Sequence, residues 1–270
     1  MDAVRLGPFV VPIHLALLFL GITLAHFIAA WFRRVRGVDP GPVLWNMVVF
    51  GFLAGRSVFV LRHHDIYFGS PLSIIDFRDG GFDTLAGFVT AAIVGMEFSR
   101  RSTALRGPLL TAALAGCVVF FAGNALNDAF MPDGAPVPAL EVRRLDNTTV
   151  TLNTFVGHPL VINLWATWCP PCRREMPVLQ AAQLAHPAIN FVFVNQGESA
   201  AAVQSYLDAN GLQMPNIVLD PARQVSAKTG SSGYPTTLFY DAQGRLYKRH
   251  MGELSQATLT ETIHGFHDSR

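Results

Sequence analysis

Two thiols separated by two residues, Cys169 and Cys172, lie in the string Trp165-Ala166-Thr167-Trp168-Cys169-Pro170-Pro171-Cys172-Arg173-Arg174-Glu175-Met176-Pro177. A C-x-x-C pair closes a tight, reversible disulfide or supplies half of a zinc site. Structural zinc takes four ligands, and the third cysteine, Cys117, lies far upstream in an apolar segment. Redox chemistry is therefore the expectation, with no metal and no cofactor. An apolar run, residues 160–165, stops at the motif, and after it Val178, Ala182 and Ala185 recur at helical spacing. Cys169 then falls at a helix start, with Pro170 and Pro171 in the first turn, where a missing N–H costs little. The positive end of the helix dipole favours a thiolate there, so that Cys169 attacks and Cys172 resolves the mixed disulfide.

Two further positions belong with the thiols. In Gly233-Tyr234-Pro235-Thr236-Thr237 a proline directly precedes a strand-like run. A cis Tyr234–Pro235 bond would turn the backbone of Tyr234 toward the dithiol and leave its N–H and C=O for an extended substrate chain. Glu175, three residues after Cys172, shares its helix face, and a nearby carboxylate opposes thiolate formation. A solvated first-turn acid, favoured by the helix dipole, is the alternative for Glu175.

These residues need a scaffold, and the chain supplies two kinds. It has 270 residues, half of them hydrophobic and only 14% charged, well under the roughly one quarter usual for soluble domains. Four apolar stretches, residues 11–32, 43–61, 82–98 and 108–130, approach the length of a membrane span. The expected architecture is an α-helical membrane domain of about four transmembrane helices, residues 1–130, a Pro/Gly-rich linker at 131–138, and an α/β domain at 139–270. In that domain the expected strands are residues 140–145, 149–152, 160–165, 190–194, 217–219, 236–240 and 245–251. Helices are expected after the motif, at 199–210, at 221–228 and beyond Ser255. The run Phe191-Val192-Phe193-Val194 suits a central strand covered on both faces.

Sidedness follows from the arginines. Arg33, Arg34 and Arg36 follow the first span and Arg100, Arg101 and Arg106 follow the third, so both loops are expected in the cytoplasm. The thiol motif then lies on the outer side, the periplasm of a bacterium, where a disulfide can cycle. A net charge of +1 and no long basic run leave no nucleic-acid signature.

Residues 139–270 resemble the TlpA/ResA-type membrane-tethered thioredoxins in the W-C-P-P-C-R-R-E-M-P string, in Val194-Asn195-Gln196-Gly197-Glu198-Ser199 after a strand, and in Gly-Tyr-Pro-Thr-Thr. The resemblance implies a thioredoxin fold, catalytic roles for Cys169, Cys172, Glu175 and Pro235, and client contacts at Trp168, Tyr234 and Pro235. Clients would be proteins carrying disulfides, with a separate membrane thiol protein as electron donor. Residues 1–98 resemble, less strongly, the first part of prolipoprotein diacylglyceryl transferase. The likeness lies in Leu53-Ala54-Gly55-Arg56, Pro71-Leu72-Ser73-Ile74 and Asp79-Gly80-Gly81. Where that family has a histidine followed by two glycines, this chain has Leu85-Ala86-Gly87, so transferase activity is not expected. Arg56 would bind a lipid phosphate or pair with a loop aspartate.

Other functions have weaker sequence support. His14, His26, His63 and His64 suggest a metal or haem carrier, against the plainer account of interfacial histidines. Leu114-Ala115-Gly116-Cys117 resembles a lipobox, but Val118-Val119-Phe120-Phe121 follows, apolar where a mature lipoprotein is polar. Within the redox class, Pro170 and Pro171 remove two donors from the Cys169 thiolate and Glu175 acts in the same direction, so a reductant is expected, with an oxidant or isomerase as the alternative.

Overall fold

The computed structural model describes residues 3–6, 9–68, 74–75, 80–130 and 134–268. Pro71, Leu72, Ser73, Asp79 and the first three residues of the expected linker lie outside them. The chain divides into two units, Ile13–Ala129 and Phe130–Arg270 together with Met1–Pro12.

A short antiparallel pair, β1 (Ala3–Leu6) and β2 (Phe9–Pro12), precedes the helical unit. That unit comprises α1 (Ile13–Arg36), α2 (Gly41–Arg62), the single turn α3 (His64–Tyr67), α4 (Thr84–Arg101) and α5 (Thr103–Phe130). Among the described residues three helices are long and apolar enough to cross a membrane: α1, α2 and residues Thr103–Asn127 of α5. The sequence suggested four. The stretch that falls short is α4, whose last turns carry Glu97, Arg100 and Arg101. Its charge-free part, Thr84 to Met96, reaches about 20 Å against a hydrocarbon core of about 30 Å.

Glycines let these helices touch. A Cβ on Gly51 of α2 would stand 2.8 Å from the carbonyl oxygen of Gly87 in α4, and one on Gly21 of α1 would stand 2.7 Å from that of Gly116 in α5. Small residues at such crossings allow the backbones to approach. Asp83 caps α4, accepting from Ala86 N–H at 2.8 Å, and pairs with Arg62 at 3.0 Å. Arg56 is buried. Its Nε donates to Ile74 O at 3.0 Å and its Nη1 to Gly81 O at 2.9 Å, and it lies over the rings of Tyr67 and Phe82. The guanidinium thus fastens the segment leading into α4 onto α2. Cys117 sits inside the unbroken helix α5.

The other unit is an α/β sandwich. Its elements are β3 (Glu141–Arg144), β4 (Thr149–Thr151), a 3-10 turn (Leu152–Phe155), β5 (Leu160–Trp165), α6 (Pro170–Ala185) and β6 (Asn190–Gln196). They continue with α7 (Ala200–Ala209), β7 (Ile217–Asp220), α8 (Gln224–Thr229), β8 (Thr236–Tyr240), β9 (Leu246–Met251) and α9 (Gln256–Asp268). Seven strands run in the order β4-β3-β7-β6-β5-β8-β9. The central strands β5, β6 and β7 are parallel, and β8 runs antiparallel to β5. Every residue of β5 is buried. Val161 and Trp165 face Met176, Leu179, Phe191 and Phe193, while Leu160, Ile162 and Leu164 join Val192, Val194 and Leu238 in a second cluster. A strand covered on both faces needs no polar alternation, which is why β5 and β6 read as continuous apolar runs.

Two elements depart from expectation. Within the expected linker, residues 134–138 lie along the β8–β9 hairpin: Gly134 N–H donates to Leu246 O, Leu246 N–H to Ala135 O, and Val137 N–H to Gly244 O, each at 2.9 Å. Pro136 and Pro138 lack an N–H, so Gly134, Ala135 and Val137 carry the pairing. The helix expected from Pro221 starts at Gln224. Asp220 sets that start by accepting from Gln224 N–H at 3.0 Å and Val225 N–H at 2.7 Å, with Arg223 in a left-handed conformation. Ser255 caps α9, its Oγ accepting from Thr258 N–H at 3.1 Å. Ser255→Ala is expected to destabilise this unit by about 1 kcal/mol, read as a lower urea midpoint with an unchanged slope of unfolding free energy on denaturant.

Candidate active site

Cys169 is the N-cap of α6, and Pro170 and Pro171 occupy the first helical positions. Its Sγ accepts from Cys172 N–H at 3.3 Å, and the two sulfurs form a disulfide. Neither proline can donate, so the early helix donor that reaches the Cys169 sulfur is Cys172 N–H, while Arg173 N–H donates to Cys169 O at 3.1 Å. Both cysteines are buried, in one cluster with Trp165, Met176 and Leu179.

The sheet brings the proline segment to the same place. Leu164 pairs with Thr236, so Pro235 stands level with Trp165, where β5 ends. The Tyr234–Pro235 bond is cis. Tyr234 packs against the cluster that holds both cysteines, and its ring meets Trp168 edge to face at 6.1 Å. Trp168 is 58% exposed, and with Tyr234 it makes an aromatic surface beside the dithiol. Five of the six residues singled out in the sequence, Cys169, Cys172, Trp168, Tyr234 and Pro235, thus converge at the end of β5.

Glu175, the sixth, lies one helical turn past Cys172 and is fully buried. The alternative of a solvated first-turn acid does not hold. Its Oε1 accepts from Asn163 Nδ2 at 2.8 Å and its Oε2 from Leu254 N–H at 3.0 Å. Asn163 Nδ2 also donates to Thr237 Oγ1 at 3.0 Å. Burial pushes the Glu175 carboxyl up to about 8, the two hydrogen bonds oppose that rise, and the neighbouring charge of Glu253 adds to it. Arg174 in turn holds Glu253, with Nε at 2.8 Å and Nη2 at 2.5 Å from one carboxylate oxygen.

Asn163 and Leu254 were not among the residues chosen from sequence. Asn163 carried a signal, as the sole polar side chain in the apolar run 160–165, since a buried amide demands a partner. Leu254 acts through its backbone N–H, for which the residue type gives no signal. Among the described residues no three His, Cys, Asp or Glu side chains are grouped to hold a metal.

A C-x-x-C at a helix start after a central parallel strand, facing a cis-proline that opens an antiparallel strand, defines a thioredoxin-fold thiol-disulfide oxidoreductase. The family model for Redoxin matches residues 132–263. The chain is 30% identical over 130 residues to thiol-disulfide oxidoreductase ResA of Bacillus subtilis (strain 168), covering 47% of this chain and 72% of that protein. It is 31% identical over 133 residues to thiol:disulfide interchange protein DsbE of Yersinia pestis, covering 48% of this chain and 70% of that protein. Among solved structures, MTB dsbF aligns over 48% of this chain and 98% of its own with a TM-score of 0.45 at 28% identity. The chain belongs to the ResA/DsbE-type thiol-disulfide oxidoreductases.

Burial of Glu175 links stability to pH. With a carboxyl near 8 when folded and an ordinary value of 4.5, the folded chain keeps a proton between those values that the unfolded chain has lost. Stability is therefore full below about pH 4.5 and falls as pH rises toward 8, where the loss levels off. Glu175→Gln is expected to flatten that fall, which amounts to a few kcal/mol, when urea unfolding of the oxidised protein is followed from pH 4 to pH 9.

Proposed function

We propose that this protein is a membrane-anchored reductase of disulfides in client proteins outside the cytoplasm. The observation that carries the direction is the start of α6, where Pro170 and Pro171 withhold two N–H donors from Cys169. A thiolate less stabilised at that position makes the couple more reducing. In the reduced protein the Cys169 thiolate attacks a client disulfide, forming a mixed disulfide and releasing the first client thiolate. Cys172 then attacks the Cys169 sulfur, releases the second client thiolate and leaves the Cys169–Cys172 disulfide. Two electrons pass from the dithiol to the client, and the protons lost by Cys169 and Cys172 balance those taken up by the client thiolates. Trp168, Tyr234 and Pro235 receive the client chain, and Glu175 governs proton exchange at the dithiol. Clients include, on this reading, proteins whose cysteines must be reduced for covalent haem attachment, as in cytochrome c maturation.

The sidedness rests on α5. Arg106 lies near its start and Arg100 and Arg101 just before it, at the end of α4; placing them in the cytoplasm carries the chain after Phe130 to the opposite side whether or not α4 crosses. The helical unit serves as the anchor in contact with membrane lipid. Diacylglyceryl transfer is no part of this reading: Leu85-Ala86-Gly87 stands where that resemblance called for histidine, and Arg56 binds backbone carbonyls within its own unit. The dithiol is recharged by a separate thiol protein.

Equilibration of the C-terminal unit with glutathione or dithiothreitol buffers is expected to give a reduction potential near that of thioredoxin, about −270 mV. A value near about −120 mV would overturn the reductase in favour of an oxidant. Cys169→Ala is expected to abolish turnover, and Cys172→Ala to accumulate mixed disulfides with clients on non-reducing gels.

A further inference from the structure

We propose that Glu198, on the loop between β6 and α7, is a positioning residue for thiol-disulfide exchange: through Thr167 it holds the turn that presents Trp168 and Cys169 to a client. The proposal rests on the oxidoreductase assignment made above and adds a residue to it.

The chain leaves β5 at Trp165 and reaches Cys169 after only Ala166, Thr167 and Trp168. Within that turn the backbone bond is Cys169 N–H to Ala166 O at 3.2 Å. A second tie comes from outside it. Thr167 N–H donates to Glu198 Oε2 at 2.7 Å and Thr167 Oγ1 donates to Glu198 Oε1 at 2.5 Å, so one carboxylate grips one residue at two points. Asn195 Nδ2 donates to the same Oε2 at 2.7 Å, and Asn195 pairs with Trp165 across β5 and β6. The carboxylate is therefore referenced to the ends of two parallel strands, β5 and β6. Such a fork fixes direction as well as distance, which a single neutral hydrogen bond does not.

What the grip controls is the residue that follows. Trp168 is exposed, so no core packing holds its backbone from the outer side. Cys169, by contrast, is also fixed by its place at the head of α6. Loosening Thr167 should displace the client-facing aromatic surface more than the sulfur. The signature is a loss in client binding that exceeds any loss of thiol reactivity.

The test uses the full chain in detergent micelles, with a disulfide-bonded protein substrate and with a small aromatic disulfide. Glu198→Ala is expected to raise KM for the protein substrate about tenfold while kcat and exchange with the small disulfide change by no more than about twofold. Thr167→Val, which loses the Oγ1 bond, should show a smaller rise of the same kind, and Thr167→Ser should recover it. Combining Thr167→Val with Glu198→Ala should add nothing further to Glu198→Ala, because both remove one interaction. Equal losses on the two substrates, no loss on either, or fully additive effects would each overturn the proposal. Should Glu198→Ala fail to fold, the contrast between Thr167→Val and Thr167→Ser decides the question alone. Failure of the oxidoreductase assignment looks different, since the unmodified protein would then exchange with neither disulfide.

Discussion

Burial of a carboxyl one helical turn past the dithiol is the constraint on which the C-terminal unit depends. Taking a carboxyl out of water costs several kcal/mol unless it is hydrogen-bonded or neutral. Glu175 receives its two bonds from opposite directions, Asn163 on β5 and Leu254 beyond β9. Asn163 is in turn oriented by Thr237, which is its register partner on β8. Leu254 is held by the loop between β9 and α9, where Arg174 grips Glu253 and Ser255 caps the last helix. One carboxyl thereby ties β5, β8, α6 and the loop leading into α9 to a single arrangement. The upward displacement of its proton affinity follows from burial that these bonds do not fully offset.

Much of this was legible in the chain. The apolar run 160–165 is β5 residue for residue, and 236–240 is β8, because buried central strands need no alternation to be recognised. The two prolines after Cys169 fixed the helix start, since few other positions tolerate them. Other features had no local signature. Leu254 contributes a backbone amide, and the Glu198 carboxylate acquires its meaning from Thr167, 31 residues earlier in the chain. Long-range pairs of this kind follow from strand register, and register is a property of the folded sheet.

The helical unit shows the opposite error, a signal read too generously. Residues 82–98 look like a span if the residues beyond are ignored, yet α4 begins at Thr84 and runs on to Arg101, so its ends are polar inside the helix. Its packing is settled by a glycine pair with α2. That contact lets α4 lie close along α2, a helix apolar enough to cross a membrane.

The two units fit one economy of electrons. Reducing a disulfide takes two electrons, and delivering them through thiols takes a pair of sulfurs within bonding distance. Residues 1–130 contain Cys117 alone, inside α5. A relay through that unit to the Cys169–Cys172 pair would require a second thiol there, so on the reading proposed the electrons arrive by direct exchange at the domain's own dithiol. On that same reading the donor approaches the aromatic surface of Trp168 and Tyr234 that is proposed to receive the client, and the two compete for one face. Discrimination between them falls to the redox state of Cys169 and to contacts around it: the oxidised protein presents an electrophilic disulfide to a donor, and the reduced protein presents a nucleophile to a client.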